Sequence, residues 1–222
     1  MIRWRTIPGP LVVMVLVFAA SAQAAEPSQK FTPRALAESI AVGNAAFEKK
    51  DYPTARRAYT RALDLEPDNL LGIVNLGMVE FYSGNTTRAE ELLKKAVQQR
   101  METAPAWLTL GMIYMDQDRP EAALAALSQA TLHDPQNART RNFLGVVIGR
   151  RGWIYGAQQE LRRAVELDPS YADAHYNLAV FYLEENPPAT ELARRHYQRA
   201  IELGIEKDPA MEKIFSLPPN KS

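Results

Sequence analysis

Histidines, cysteines and paired carboxylates are the side chains with which a protein most readily binds metals or moves protons, and here they are sparse or scattered. The histidines are His133, His175 and His196, and none falls in an HExxH or HxH arrangement. There is no cysteine, which closes disulfide bonding, thiolate metal sites, thiol catalysis and a lipoprotein-type lipid anchor. The glycines stand singly in helix-like sequence rather than in a phosphate-cradling loop, and GxSxG is absent. Acids are plentiful, but no two single themselves out as a general acid and base. The expectation is a protein that is not an enzyme, with no catalytic residue, no metal and no cofactor.

The elements that would position any site come from an internal repeat. Glycines stand at 43, 77, 111 and 145, each 34 residues from the last. Alanines follow the same spacing at 55, 89, 123 and 157, and again at 62, 96, 130 and 164. Prolines close the unit at 67, 135 and 169, and Val42, Leu76, Leu110 and Leu144 precede the glycines. Registers that stay in phase over four units mark a repeat architecture, in which no unit can bury both apolar faces alone.

Each unit divides into two helices. In the first, Leu36, Ile40, Val42 and Phe47 recur at helical spacing. Asp51 and Pro53 then supply an N-cap acid and a first-turn proline, and Pro67 ends the second helix. The third unit is expected to use Asp118 with Pro120 in the same way, and the second to turn at Gly84-Asn85. Glycine inside a helix costs ~1 kcal/mol relative to alanine. Its recurrence therefore implies close approach of the partner helix, with Tyr59, Leu93, Leu127 and Leu161 filling the space beside it.

These residues resemble the tetratricopeptide repeat family, whose pattern is met most fully by Trp107, Leu110-Gly111, Tyr114, Ala123, Leu127, Ala130 and Pro135. On that register five repeats cover 36–69, 70–103, 104–137, 138–171 and 172–207. Met101 replaces the closing proline of the second, and Ala179 the glycine of the fifth, which also carries two extra residues near Asn186-Pro187-Pro188. Residues 25–35 would be a linker and the start of the first helix. Residues 208–222 would form a capping helix from Asp208-Pro209, with Met211, Ile214 and Phe215 on the last open face, and a tail. The resemblance implies an all-α, right-handed superhelical solenoid whose first helices line a concave groove.

Carried over position by position, the resemblance gives candidate partner-binding residues for that groove. The first two repeats supply Asn44, Phe47, Val74, Met78, Phe81 and Tyr82, and the third Leu108, Met112 and Met115. The last two supply Asn142, Arg150 and Tyr176. Methionines beside aromatic rings suit an amphipathic helix or an extended apolar segment of a partner protein. At the places where relatives clamp a chaperone C-terminus with Lys and Asn, this chain has Ile40 and Asn44, then Val74 and Met78, so that clamp is not expected. The arginines at 139, 141, 150, 151, 162 and 163 fit a contact for an acidic partner beside the apolar stretch, or, as the favoured reading, a solvated face with acids such as Glu160 and Glu166. The basic pairs Arg56-Arg57, Lys94-Lys95 and Arg194-Arg195 also fit solvated outer surface.

Acidic and basic residues number 26 each, so no overall field draws in nucleic acid or an anionic membrane. Residues 1–24 fit a cleavable signal peptide: Arg3 and Arg5, an apolar run from Leu11 to Ala20, then Ala22-Gln23-Ala24. That run is shorter than the ~20 residues a membrane-spanning helix needs. The expected protein is an exported bacterial adaptor of the periplasm, binding a protein or peptide segment, without stable membrane insertion after cleavage. The alternatives are an inner-membrane-anchored form facing the periplasm and a self-associating structural subunit of an envelope assembly.

Overall fold

A computed structural model describes residues 33–216; the expected signal peptide lies outside them. Among the described residues the chain forms α1 (Pro33–Glu48), α2 (Tyr52–Leu65), α3 (Leu70–Tyr82), α4 (Thr86–Gln99), α5 (Ala104–Asp116) and α6 (Pro120–His133). It continues through α7 (Ala138–Arg150), α8 (Ile154–Leu167), α9 (Ala172–Leu183), α10 (Thr190–Glu202) and α11 (Pro209–Ser216). The odd-numbered helices from α1 to α9 each pair with the next helix as a hairpin, and each second helix packs on the first helix of the following hairpin. First helices also touch one another, α1 to α3, α3 to α5, α5 to α7 and α7 to α9. The result is an all-α solenoid of five hairpins followed by one short helix.

The recurrent glycines work as the spacing predicts. A Cβ at Gly111 would stand 2.6 Å from Leu127 Cγ, and one at Gly77 2.8 Å from Leu93 Cγ. Gly43 is crowded in the same way by the Tyr59 ring, and Gly145 by Leu161. The small residue lets a large one cross the hairpin axis, and Leu93, Leu127 and Leu161 are fully buried. Buried side chains from Ala46 to Val147 form one group and those from Ala157 to Met211 a second, with Ile148 packed against both.

A second register emerges only in three dimensions. Lys50, Gly84, Asp118 and Gly152 all have positive φ, at 58°, 83°, 53° and 85°. Each ends its first helix with the left-handed residue that turns the chain into the second. Asp118 is therefore not the expected N-cap; Arg119 is, without a side-chain capping bond. Asp51 does cap α2, its carboxylate accepting from the Thr54 N–H at 3.2 Å. Asn69 and Asn137 cap α3 and α7 likewise, at 2.9 and 3.0 Å.

Several charges expected as loose outer surface join neighbouring repeats instead. Arg56 on α2 donates Nε and Nη2 to the two carboxylate oxygens of buried Glu80 on α3, at 2.7 and 3.0 Å. Arg162 on α8 donates to the Tyr182 hydroxyl at 2.9 Å, and Gln158 to the Phe181 carbonyl at 3.0 Å. Arg194 donates to the Phe215 carbonyl and lies over its ring, tying α10 to α11. Arg141 and Arg163 do find the expected acids, Glu160 at 2.7 Å and Glu166 at 3.0 Å, and Arg151 pairs with Glu121.

Candidate functional site

The first helices α1, α3, α5, α7 and α9 carry the positions that the sequence assigns to the groove. Phe47, Met78, Phe81, Leu108 and Met115 are half-buried, each packed on one side against the core. Tyr82, Met112 and Tyr176 are also half-buried, while Asn44 and Arg150 are exposed. Two of the twelve candidates are not surface at all. Val74 is 5% exposed and belongs to the core, and Asn142 is 2% exposed. The Asn142 amide is spent between repeats, donating to the Tyr171 hydroxyl at 3.3 Å and accepting from Asn177 at 2.9 Å. Tyr176 is engaged too, its hydroxyl donating to Asp208 at 2.6 Å.

The remaining candidates of α1 and α3 converge. Asn44, Phe47, Glu48, Tyr59, Asn75 and Met78 line a recess of about 200 Å³. Tyr59 reaches it from α2 and donates its hydroxyl to Asn44 Oδ1 at 2.7 Å, while Asn75 Nδ2 donates to the same oxygen at 3.1 Å. Burial pushes the Tyr59 phenol up, and the nearby Glu48 carboxylate adds to that against the lowering effect of Asn75.

Beside the recess stands an aromatic cluster. Phe47 lies 5.9 Å from Tyr52 and 5.7 Å from Tyr82 between ring centroids, and Tyr52 and Tyr82 stack at 6.0 Å. Phe81 meets Tyr82 edge-on at 5.2 Å. Arg139 of α7 stands over both Tyr82 of α3, at 6.0 Å, and Phe143, at 5.7 Å. Beyond Arg139 a second recess, of about 390 Å³, is lined by Arg139, Phe143, Tyr171, Asp168 and Asp173.

Tyr52 and Phe143 thus stand beside the candidate residues without being among the twelve, and Tyr59, itself only 2% exposed, supports Asn44 from beneath. Tyr59 and Tyr52 belong to a second helix, and only the hairpin crossing brings them round. Arg150 has no ion-pair or hydrogen-bond partner among the described residues. Among those residues, no group of three or more histidines and acids is placed to hold a metal ion, and no helix is long and apolar enough to cross a membrane. The arrangement offers apolar and aromatic contact surface with amides, three carboxylates (Glu48, Asp168 and Asp173) and two arginines (Arg139 and Arg150), which is chemistry for holding a chain segment.

Family models described as tetratricopeptide repeat match residues 40–105 and 80–145, and one described as TPR repeat matches 150–185. Human protein O-mannosyl-transferase TMTC3 is 28% identical over 152 residues, which are 68% of this chain and 17% of that protein. The chain spans between 16% and 32% of the first curated relatives it matches. The structure of Pseudomonas aeruginosa pilF superposes with a TM-score of 0.72 at 19% identity, over 82% of this chain and 85% of that one. YrrB, described as a tetratricopeptide-repeat protein with an unusual peptide-binding site, superposes with a TM-score of 0.58 at 23% identity, over 75% and 84%. At these identities the structural likenesses concern the fold.

Proposed function

Since the chain belongs to the tetratricopeptide repeat family, we propose that it is a non-enzymatic adaptor of the bacterial cell envelope, holding a segment of a partner protein in its concave groove. The observation that carries this reading is the half-buried set Met78, Phe81, Leu108, Met112 and Met115 on the first helices α3 and α5, beside the Asn44–Asn75 recess that Met78 also lines. Half-exposed thioethers and rings on a concave face give adaptable apolar contact, and the amides beside them suit a peptide backbone. The peptide-binding site named for YrrB lies on the same fold and supports the same use here. The envelope location rests on the signal-like sequence of residues 1–24. The non-enzymatic character rests on a sequence that offers no nucleophile–base pair.

The test is in-cell crosslinking and capture, with the wild-type protein beside its Met78→Glu/Met112→Glu variant, both checked for helicity and for release to the periplasm. A partner captured by the first and lost by the second establishes a groove-dependent adaptor. Identical partners from both overturn the groove assignment.

A second reading, self-association, is favoured by one feature. Val42 is 53% exposed, although Leu76, Leu110 and Leu144 at the same register are buried against the preceding repeat. Among the described residues the first hairpin thus leaves an apolar position uncovered that a second copy could cover. Light scattering that finds a strict monomer at high concentration sinks that reading.

A further inference from the structure

Resting on the groove reading above, we propose that the recess between α1 and α3 selects a basic side chain, a lysine or arginine flanked by apolar residues, in the segment that the groove holds. Phe47 and Met78 give the recess apolar walls that suit the methylene stem of such a side chain. The carboxylate of Glu48 also lines it and has no ion-pair or hydrogen-bond partner among the described residues; neither Lys49 nor Lys50, which follow it, pairs with it there.

The amides around it are committed in one direction. Asn44 Oδ1 already accepts from the Tyr59 hydroxyl and from Asn75 Nδ2. Among the amide and carboxylate groups that line the recess, the acceptors without a partner in the described residues are the Glu48 carboxylate and Asn75 Oδ1, and an ammonium or guanidinium brings donors only. Asn44 Nδ2, without a partner among the described residues, is left to meet a backbone carbonyl of the bound segment. An acidic side chain in the same place would stand beside Glu48 with too few donors to offset the repulsion. The neighbouring aromatic cluster shows that this concave face tolerates a cation, since the Arg139 guanidinium already lies over Tyr82 and Phe143. The deduced ligand is therefore an extended, apolar segment with a positive charge at the residue that enters the recess.

The experiment is an NMR titration of the purified protein with three acetylated, amidated peptides of sequence Ala-Leu-Ala-X-Ala-Leu-Ala, where X is lysine, glutamine or glutamate. The side-chain amide signals of Asn44 and Asn75 are followed. The lysine peptide is expected to shift both and to bind about five- to tenfold more tightly than the glutamine peptide. The Glu48→Gln variant should erase that preference, and Glu48→Lys should turn it toward the glutamate peptide. Equal affinity for the lysine and glutamine peptides, a preference that survives Glu48→Gln, or no shift at Asn44 and Asn75 overturns the inference. The groove reading is judged separately. If Glu48→Gln retains full capture in cells while Met78→Glu/Met112→Glu loses it, basic selection fails and the groove remains.

Discussion

The Nδ1 atoms of His175 on α9 and His196 on α10 lie 2.9 Å apart, their rings stacked at 5.2 Å. The Nε2–H of His175 donates to the Pro169 carbonyl at 3.3 Å, so the bond between the rings has His196 donating when both are neutral. Asp168 at the end of α8, Arg162 from α8 and Arg199 from α10 supply the surrounding charge, and the Tyr182 ring leans over His196 at 5.6 Å. The pair can carry one added proton, but a second would set two donors against each other.

Stability is therefore expected to fall on mild acidification. Burial, then the His175 and Arg162 charges, depress His196 to about 4, and burial also lowers His175. In the unfolded chain both titrate near the ordinary value of ~6.5. Protons thus bind the unfolded state in preference between about pH 6.5 and pH 4. The contribution is fully present above that window, is lost as pH falls through it, and levels off below. Denaturant unfolding should show a loss of about 2 kcal/mol from pH 7 to pH 4.5 at this pair, allowing for solvent reaching its rim. The slope should flatten in His196→Phe; an unchanged slope there refutes the assignment.

The small residues of the hairpin crossings give a prediction of opposite sign to helix propensity. Gly111→Ala gains up to ~1 kcal/mol of helix propensity. It also drives a methyl to within 2.6 Å of Leu127 Cγ, a branch point rather than a flexible end. We expect net destabilisation of about 1–2 kcal/mol, read as a lower thermal midpoint. Gly111→Ala combined with Leu127→Ala should cost less than the two single changes summed, because the second substitution removes the atom that the first strikes.

Much of this architecture was legible in the sequence because its signals repeat. Gly43, Gly77, Gly111 and Gly145 each meet the large residue expected of them, and the helix limits follow Pro67, Pro135 and Pro169 closely. Asp118 was misread because an acid before Pro120 looks the same in sequence whether it caps a helix or ends the one before it. Only its φ of 53° tells them apart. For the candidate groove, first-helix counting picked Phe47, Met78 and Phe81, which stay half-buried, but also Val74 and Asn142, which the stacking of successive repeats buries. It also passed over Tyr52, whose ring stacks on Tyr82 from a second helix, and Phe143, which Arg139 joins to Tyr82 from two repeats away. Such contacts depend on how repeats stack, and no spacing within one repeat encodes that.

Arg56 and Glu80 should behave as a joint between the first two repeats. Burial alone would raise the Glu80 carboxyl, but hydrogen bonds from Arg56 and Asn85 outweigh it and hold the group below the usual carboxylate range. Glu80→Ala leaves Arg56 facing apolar surface. Because that guanidinium is about a third exposed, the expected loss is about 1–2 kcal/mol, below that of a fully buried pair. Arg56→Ala strands the buried carboxylate and should cost at least as much. Urea unfolding of both single variants and the double variant measures the coupling, and a coupling near zero would show that the joint is not energetic.

The last prediction concerns the end of the solenoid. Asp208 holds α11 in three ways: its carboxylate accepts from the Tyr176 hydroxyl at 2.6 Å and from the Ala210 N–H at 2.8 Å, and its own N–H donates to the Tyr197 hydroxyl at 2.7 Å. Met211 is buried beneath the helix and Phe215 packs 5.4 Å from the Tyr197 ring. Ile214, expected on the inner face, is 41% exposed and adds little. Because α11 is only eight residues long and is held by few contacts at each end, removing an anchor should loosen it without unfolding the hairpins. Tyr176→Phe is expected to speed hydrogen exchange of the α11 amides by about tenfold while leaving α5 to α8 unchanged. Met211→Ala should act more strongly, because it also removes buried apolar contact. If exchange instead rises uniformly through α9 and α10, α11 is part of the same cooperative unit, and Asp208 fastens the whole terminal repeat rather than its cap.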